Sequence, residues 1–410
     1  MIKIIYYLIF SIVMVYGVYF VASAIIGLLR KKANKFALAD PKSKFGILIA
    51  CRNEEKVIGN LVDSLKNQHY PKELFEIFVI PNNCTDATEK VAKEHGATII
   101  PCKVPVKSKG DVLKYTFNYL EKRDDLDAYI VFDADNIVHP DFLSYMNDAI
   151  VAGAEVAQGN RDSKNAEDNW ISTSYSLFYW IQNLFFSHSR MGLSGSASIN
   201  GTGFMIKKSV ISRIGFPVKT LTEDVEFTAI CAINQIRIYF VENAVTYDEQ
   251  VVDFKQSWKQ RKRWTAGMYQ CLKEYDKKLF KTFFIKHNLA SLDMALQFMA
   301  PLVQIVGALL AVVMALFSLV GVQLHSFFTY IYAYSMIFFL LTYFGGVIFN
   351  LIVAKYNYRK VRNLLPGAFL FTIFILSWIP INIVCLFKKK LVWEPIKHNR
   401  EVSIEHIMNK

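Results

Sequence analysis

The chain lacks a Cys-x-x-Cys pair, an internal repeat and any low-complexity tract. Its six cysteines, at 51, 84, 102, 231, 271 and 385, fit neither a zinc site nor a disulfide framework, and a reducing compartment suits them. Charge is missing from four long stretches, 4–29, 294–324, 326–354 and 364–387. Each exceeds the roughly 20 residues that cross a hydrocarbon core, and soluble helices rarely run that far without a charge. The same absence speaks against a transporter, whose substrate or ion path needs intramembrane charge. No tidy small-residue cleavage site follows the first stretch, so it reads as a retained anchor and not as a signal peptide.

Acidic residues are outnumbered. With 47 lysines and arginines against 35 aspartates and glutamates, the net charge is +12. The excess does not form one nucleic-acid-facing patch. Much of it flanks the apolar stretches: Arg30, Lys31, Lys32 and Lys35; Lys355, Arg359, Lys360 and Arg362; Lys388, Lys389 and Lys390. That placement is expected of loops facing the cytoplasm and anionic lipid. The expectation is a multi-pass protein of the cell membrane whose soluble part is cytoplasmic, in contact with membrane lipids and not with nucleic acid. Asn83-Cys84-Thr85 and Asn200-Gly201-Thr202 match the glycosylation sequon. A cytoplasmic domain never presents them to that machinery. The stretch 364–387 has positive charge on both sides, so it either crosses against the bias or bends back near Pro380.

Between the first and second stretches, apolar runs alternate with amphipathic segments. Strands are expected at 45–50, Phe75–Pro81, 97–100 and 128–132, and helices at 56–67, 87–95 and 111–121. Such alternation predicts a mainly parallel α/β sheet, whose ligands sit beyond the carboxyl ends of the strands. The division is an anchor at 1–30, an α/β domain at 31–252, a basic amphipathic segment at 253–290, three membrane segments within 291–388, and a basic tail at 389–410. The amphipathic segment mixes Trp, Phe and Leu with many Lys and Arg, which suits a helix lying in the membrane interface.

Three local patterns carry chemistry. Asp133-Ala134-Asp135 ends an apolar strand, and paired carboxylates are hard ligands suited to Mg2+ or Mn2+ that also hold phosphate oxygens. By itself the pattern recurs by chance. Thr222-Glu223-Asp224 fits a helix start, with Thr222 as the cap and two first-turn acids; it also fits a general base that takes a proton from a hydroxyl. Gln260-Arg261-Lys262-Arg263-Trp264 fits an interfacial helix with a Trp anchor; it also fits an Arg fork for a diphosphate beside a ring for a sugar to stack on. His139, next to Pro140, fits a turn residue better than a third metal ligand near Asp135, and Cys84 and Cys102 read as packing residues.

Taken in order, D-x-D, T-E-D and Q-x-x-R-W just before membrane segments resemble glycosyltransferase family 2, in its membrane branch with the cellulose, hyaluronan and poly-N-acetylglucosamine synthases. The resemblance covers residues 44–270 by motif. It implies a GT-A fold, a Rossmann-like domain for a nucleotide sugar, joined to α-helical transmembrane segments. It implies that Asn53 and Glu54 lie close to the nucleotide and that Asp86 meets the base or ribose, a residue that also suits a helix cap. Where the family often has a further acid, this chain has Asn82. Lys109 is implied beside the diphosphate, Gly201 and Thr202 on the acceptor side, Asp135 with Asp133 at the metal, and Asp224, next to Glu223, as base. Gln260, Arg263 and Trp264 are implied for the leaving group and acceptor. The activity implied is inverting transfer of a hexose or N-acetylhexosamine from a UDP-sugar to a growing polysaccharide, with an accessory export subunit as a further partner. Single transfer to a lipid acceptor, a polyprenyl phosphate or glycolipid, is the alternative enzyme, and a non-catalytic scaffold or transporter the alternative of another class.

Overall fold

The computed structural model describes residues 2–30, 36–319, 335–357, 359–387, 404 and 407. Lys31, Lys32 and Lys35, the 323–325 connection and the tail from Lys388, apart from 404 and 407, lie outside the described residues.

Helix α1 (Ile2–Leu29) leads into β1 (Phe45–Cys51), α2 (Ile58–Lys66), β2 (Phe75–Pro81), α3 (Thr88–Glu94), β3 (Thr98–Ile99), α4 (Lys109–Tyr119), β4 (Ala128–Asp133), β5 (Ile137–Val138) and α5 (Phe142–Val151). Next come β6 (Val156–Ser163) and α6 (Trp170–Ile181), which runs on as a π-helical stretch, Gln182–His188. The domain continues with α7 (Ser189–Gly192), β7 (Phe204–Lys207), α8 (Lys208–Ile214), α9 (Glu223–Ile233) and β8 (Ile238–Asp248). Then follow α10 (Phe254–Lys286), α11 (Leu289–Leu319), α12 (Ser335–Tyr356), α13 (Val361–Leu376) and α14 (Trp378–Phe387).

The strands form one sheet in the order β3-β2-β1-β4-β7-β6-β8-β5. Pairs β1–β2, β1–β4, β2–β3 and β6–β8 are parallel; β4–β7, β6–β7 and β5–β8 are antiparallel. The sheet is therefore mixed, because β7 returns between β4 and β6 in the opposite sense. Alternation along β1 and β4 divides two cores. Leu48, Tyr129 and Val131 face a layer made by α4, α9, α10 and the start of α11. Ile47, Ile49, Ile130 and Phe132 face α2, α3 and α5. Burial on both faces explains why these strands read as unbroken apolar runs.

Three helices are long and apolar enough to cross a membrane, Ile4–Leu29, Leu289–Phe317 and Val361–Phe387, and Leu340–Tyr356 is a shorter apolar one. Side chains such as Leu8, Val15, Leu309, Leu316 and Ile373 stand exposed along them, as lipid-facing residues do. The second span contains a charge that the sequence boundary at 294 left out. Asp293 sits in α11 and is buried against Arg190 of α7, with Arg190 Nε and Nη2 donating to its carboxylate at 2.8 and 2.9 Å. Tyr19 of α1 donates to the same carboxylate at 2.8 Å. A paired charge lets the helix run through that position. The last apolar stretch breaks at Ser377, between α13 and α14, three residues before Pro380.

Candidate active site

A cavity of about 480 Å3 lies at the carboxyl ends of β1, β2 and β4 and extends between α10, α11, α13 and α14. It gathers Glu54, Lys109, Asp133, Asp135, Gly201, Glu223, Asp224, Gln260, Arg263 and Trp264 around one space. Local structure explains how each arrives there. β4 ends at Asp133, so the carboxylates of D-x-D lie at and just past the carboxyl end of an interior strand. The Asp133 backbone N–H donates to Asn136 Oδ1 and Thr202 Oγ1, both at 3.1 Å, which pins the turn. Asp135 is almost fully buried and accepts from the Glu249 N–H at 3.0 Å.

Lys109 opens α4. Ser108 caps that helix in a reciprocal box with Asp111, so the helix starts two residues before the predicted 111. The Lys109 ammonium bonds Asp133 and the Gly201 carbonyl and lies 3.8 Å from Glu223. Burial alone would lower its pKa, but Asp133 and Glu223 outweigh that and raise it. A Cβ on Gly110 would sit 2.8 Å from Val218 Cγ2 and 3.1 Å from Glu223 Cβ, so only glycine lets α4 pack on the T-E-D segment.

That segment is a helix start: Glu223 and Asp224 form the first turn of α9. Thr222 does not cap through its side chain, contrary to the expectation; its hydroxyl meets Cys271 of α10. Helix α10 holds the segment from outside. Gln270 Oε1 accepts from the Leu221 N–H at 2.9 Å, and Tyr275 donates at 2.6 Å to Glu226, whose other oxygen accepts from Lys219 and Thr220. Burial pushes the Glu223 carboxyl up to about 7 despite Lys109, and raises Asp224 against the pull of the Val225 N–H, Lys109, Arg161 and Arg263. Gly201 has φ of 94°. A Cβ there would lie 3.3 Å from Asp224 Oδ2, so the Asn200–Gly201 turn and Asp224 share one corner of the cavity.

Helix α10 also delivers Q-x-x-R-W. Gln260, Arg263 and Trp264 reach the cavity, and Trp264 stacks on Trp378 with centroids 6.4 Å apart. Arg261 does not. It is buried under the membrane helices, donating to the Phe374 carbonyl at 2.9 Å and to Ser377 Oγ at 2.7 Å.

Asn53, Asp86 and Thr202 are not among the residues that line the cavity. Asn53 Oδ1 accepts from the Thr85 N–H at 2.8 Å, joining the loops after β1 and β2. Asp86 accepts from Thr88 and from the Glu55 N–H; burial pushes its carboxyl up, but these bonds prevail and hold it below its usual value. Thr202 is fully buried under Asp133. His139 accepts from the Asp141 N–H at 3.2 Å, as a turn residue does.

Sequence reasoning missed Arg161, Asp248 and Tyr179. Arg161 Nε donates to Asp248 at 2.8 Å and its Nη1 to the Asn200 carbonyl at 2.6 Å, and its guanidinium lies 4.0 Å from the Tyr179 ring centroid. Burial and the nearby Asp135 push Asp248 up to about 6 against the pull of Arg161. The available signal was position: both residues lie near the carboxyl ends of the neighbouring parallel strands β6 and β8. Also missed were Gln297, Gln304, Trp378 and Asn382 on the membrane helices.

A switch in strand order at β1, with acids at the carboxyl end of β4 opening into a cavity, is the arrangement of a GT-A fold. Residues 41–267 match the family described as Glycosyltransferase like family 2, and the chain belongs to that family. The probable glycosyltransferase YdaM of Bacillus subtilis is 29% identical over 58% of this chain and 58% of its own length. The beta-monoglucosyldiacylglycerol synthase of Nostoc is 26% identical over 56% of this chain and 50% of its own. The chain therefore spans little more than half the length of these curated relatives. Among solved structures, the mannosyltransferase PcManGT of Pyrobaculum calidifontis, in complex with GDP-Man and Mn2+, superposes with a TM-score of 0.59. It is 14% identical, and the match covers 93% of this chain and all of that one. The likeness is one of fold.

Proposed function

We propose that this glycosyltransferase transfers a hexose or N-acetylhexosamine from a UDP-sugar, with inversion, to a lipid acceptor at the cytoplasmic face of the membrane. One observation carries the reading: a single cavity joins D-x-D, T-E-D, Q-x-x-R-W and the membrane helices. The diphosphate belongs beside Lys109 and Arg263. Asp224 takes the proton of the acceptor hydroxyl as its oxygen attacks the anomeric carbon, and Trp264 orients the acceptor. An α-linked donor then yields a β-linked product.

The donor set fits a divalent ion. Seven carboxylates line the cavity (Glu54, Asp133, Asp135, Glu223, Asp224, Asp248, Glu249) against five cations (Arg52, Lys107, Lys109, Arg161, Arg263). The upward shifts of Glu223 and Asp248 reflect burial reinforced by that surplus of negative charge. Among the described residues no three His, Cys, Asp or Glu side chains form a metal-binding group. Two carboxylates that leave positions for phosphate oxygens suit Mg2+ or Mn2+. Asp135, with Asp133, would hold the ion, which supplies positive charge against the departing diphosphate.

A lipid acceptor is favoured because membrane helices build one wall of the cavity, and the Nostoc relative's name supports it. A growing polysaccharide, which the motifs put first, is the second reading, supported by Trp264 on the cavity wall. The side of the membrane rests on Arg359, which pairs with Asp162, and on Asn363, which donates to Glu167 at 2.9 Å. These contacts dock the basic 359–363 segment on the soluble domain, so both share the side that positive charge marks as cytoplasmic. The test incubates purified protein with UDP-sugars and GDP-mannose, Mn2+ or Mg2+, and lipid or oligosaccharide acceptors. UDP release with a single lipid-soluble adduct is expected. A long polymer would replace the lipid reading, and no nucleotide release from any donor would end the enzymatic one.

A further inference from the structure

We propose that Gln297, Gln304 and Asn382 form an acceptor subsite that selects a lipid head bearing uncharged hydroxyls; the inference rests on the lipid-acceptor reading above. Helix α11 gives the cavity Gln297, Ala300, Pro301 and Gln304, a single stripe at helical spacing. Its start is fixed to the soluble domain, where Ser291 donates to the Ala232 carbonyl at 3.2 Å. Gln304 therefore lies about 10 Å further along the helix than Gln297. Across from it, α14 brings Asn382 and Trp378.

The two ends of the cavity differ in chemistry. Every charged residue lining it belongs to the soluble domain or the first turns of α10; the membrane helices add only uncharged groups. Those groups are partly spoken for. Asn382 Nδ2 donates to Gln304 Oε1 at 2.8 Å, and Thr265 donates to Asn382 Oδ1 at 3.2 Å. Buried and without a partner among the described residues are Gln297 Nε2, a donor, and Gln260 Oε1, an acceptor. Buried polar atoms are rarely left unpaired, so both call for a guest. A hydroxyl can satisfy either, because it accepts and donates. A phosphate can only accept, carries charge, and finds no cation on the membrane helices. Trp378, Ile375 and Ala300 leave apolar wall beside these amides for the rest of a lipid.

The test reconstitutes the full-length protein in phosphatidylcholine vesicles with the donor that gives nucleotide release and Mn2+. Dioleoylglycerol and undecaprenyl phosphate are compared as acceptors. Wild type is expected to glycosylate dioleoylglycerol at least tenfold faster. Gln297→Leu is expected to raise the KM for dioleoylglycerol at least tenfold, with the donor KM within twofold of wild type. Gln304→Leu should act in the same direction, which guards against one variant misfolding. Equal or better use of undecaprenyl phosphate, or an unchanged acceptor KM in both variants, would overturn the proposal while the transferase reading stands. So would donor and acceptor KM rising together, the mark of a merely structural role. Absence of nucleotide release from any donor in wild type would sink the transferase reading and this proposal with it.

Discussion

Asp224→Asn separates chemistry from binding. The substitution keeps shape and removes one charge from a corner where a Gly201 Cβ would lie only 3.3 Å from Asp224 Oδ2. Burial raises this carboxyl against the pull of the Val225 N–H, Lys109, Arg161 and Arg263, so its deprotonated form is a stronger base than an exposed Asp. A positioned base contributes ~10²–10⁴-fold. At about 1.36 kcal/mol per tenfold, its loss costs about 2.7–5.4 kcal/mol of transition-state stabilisation. The leaving diphosphate is anionic, so removing a negative charge nearby does not weaken donor binding. The expected result is a transfer rate down by ~10²–10⁴, with UDP affinity equal to or tighter than wild type. Because a base works deprotonated, wild-type kcat/KM should rise with pH through a value above the usual Asp range, and this acid limb should vanish in the variant. Glu223→Gln is the control. Glu223 faces Lys109 and is pushed to about 7, so if it were the base it would carry the larger loss and the limb. The assay is nucleotide release with radiolabelled product across pH 5–9. Folded Asp224→Asn protein with transfer within threefold of wild type refutes the assignment.

Gly201→Ala forces a side chain onto a backbone at φ 94° and crowds Asp224. It should cost about 1–3 kcal/mol of stability and, by displacing reacting groups, ~10²-fold in rate; a lowered melting temperature with an unchanged rate would detach this loop from the reaction. Asp276 lies on α10 with its carboxyl lifted to about 6 by burial and Oδ1 buried without a partner among the described residues. Its folded pKa exceeds the unfolded value of about 3.9, so its penalty is absent at low pH, grows above that value and is complete beyond about 6. Asp276→Asn should therefore raise the melting temperature more at pH 8 than at pH 4.5, and equal shifts at both would refute the cause.

The parallel half of the sheet was legible because its strands are buried on both faces. Phe75–Pro81 emerges with its expected ends, and β1 and β4 each extend one residue past theirs. The early start of α4 is also written in the sequence, as Ser108 three residues before Asp111, a capping pattern. Strand β7 was not legible. Four residues, Phe204–Lys207, carry no directional signal, and only pairing with β4 and β6 sets their sense. At the site, ionisable motifs announced themselves. Arg161 and Asp248 did not, because their meaning comes from being opposed across β6 and β8. Gln297, Gln304 and Asn382 were visible as polar breaks in apolar runs, yet without charge they gave no reason to expect a shared cavity.

Helix α10 explains why soluble and membrane parts make one site. Its 33 residues present three stripes at helical spacing. Gln260, Arg263 and Trp264 line the cavity. Gln270, Cys271 and Tyr275 hold the T-E-D segment. Arg261, Thr265 and Tyr269 bind Phe374, Ser377 and Asn382 of the membrane helices. A helix is stiff over such a length, so the proposed base, the leaving-group cation and the acceptor wall share one rigid frame. The buried Arg261 keeps its bonds to Phe374 and Ser377 only while α13 and α14 stay against it, since withdrawing them removes both acceptors and the Phe374 and Trp378 rings that cover its guanidinium. The apolar helices are thus part of the geometry of the cavity, and the soluble domain alone would lack both the proposed acceptor wall and the clamp that sets Arg263 and Trp264.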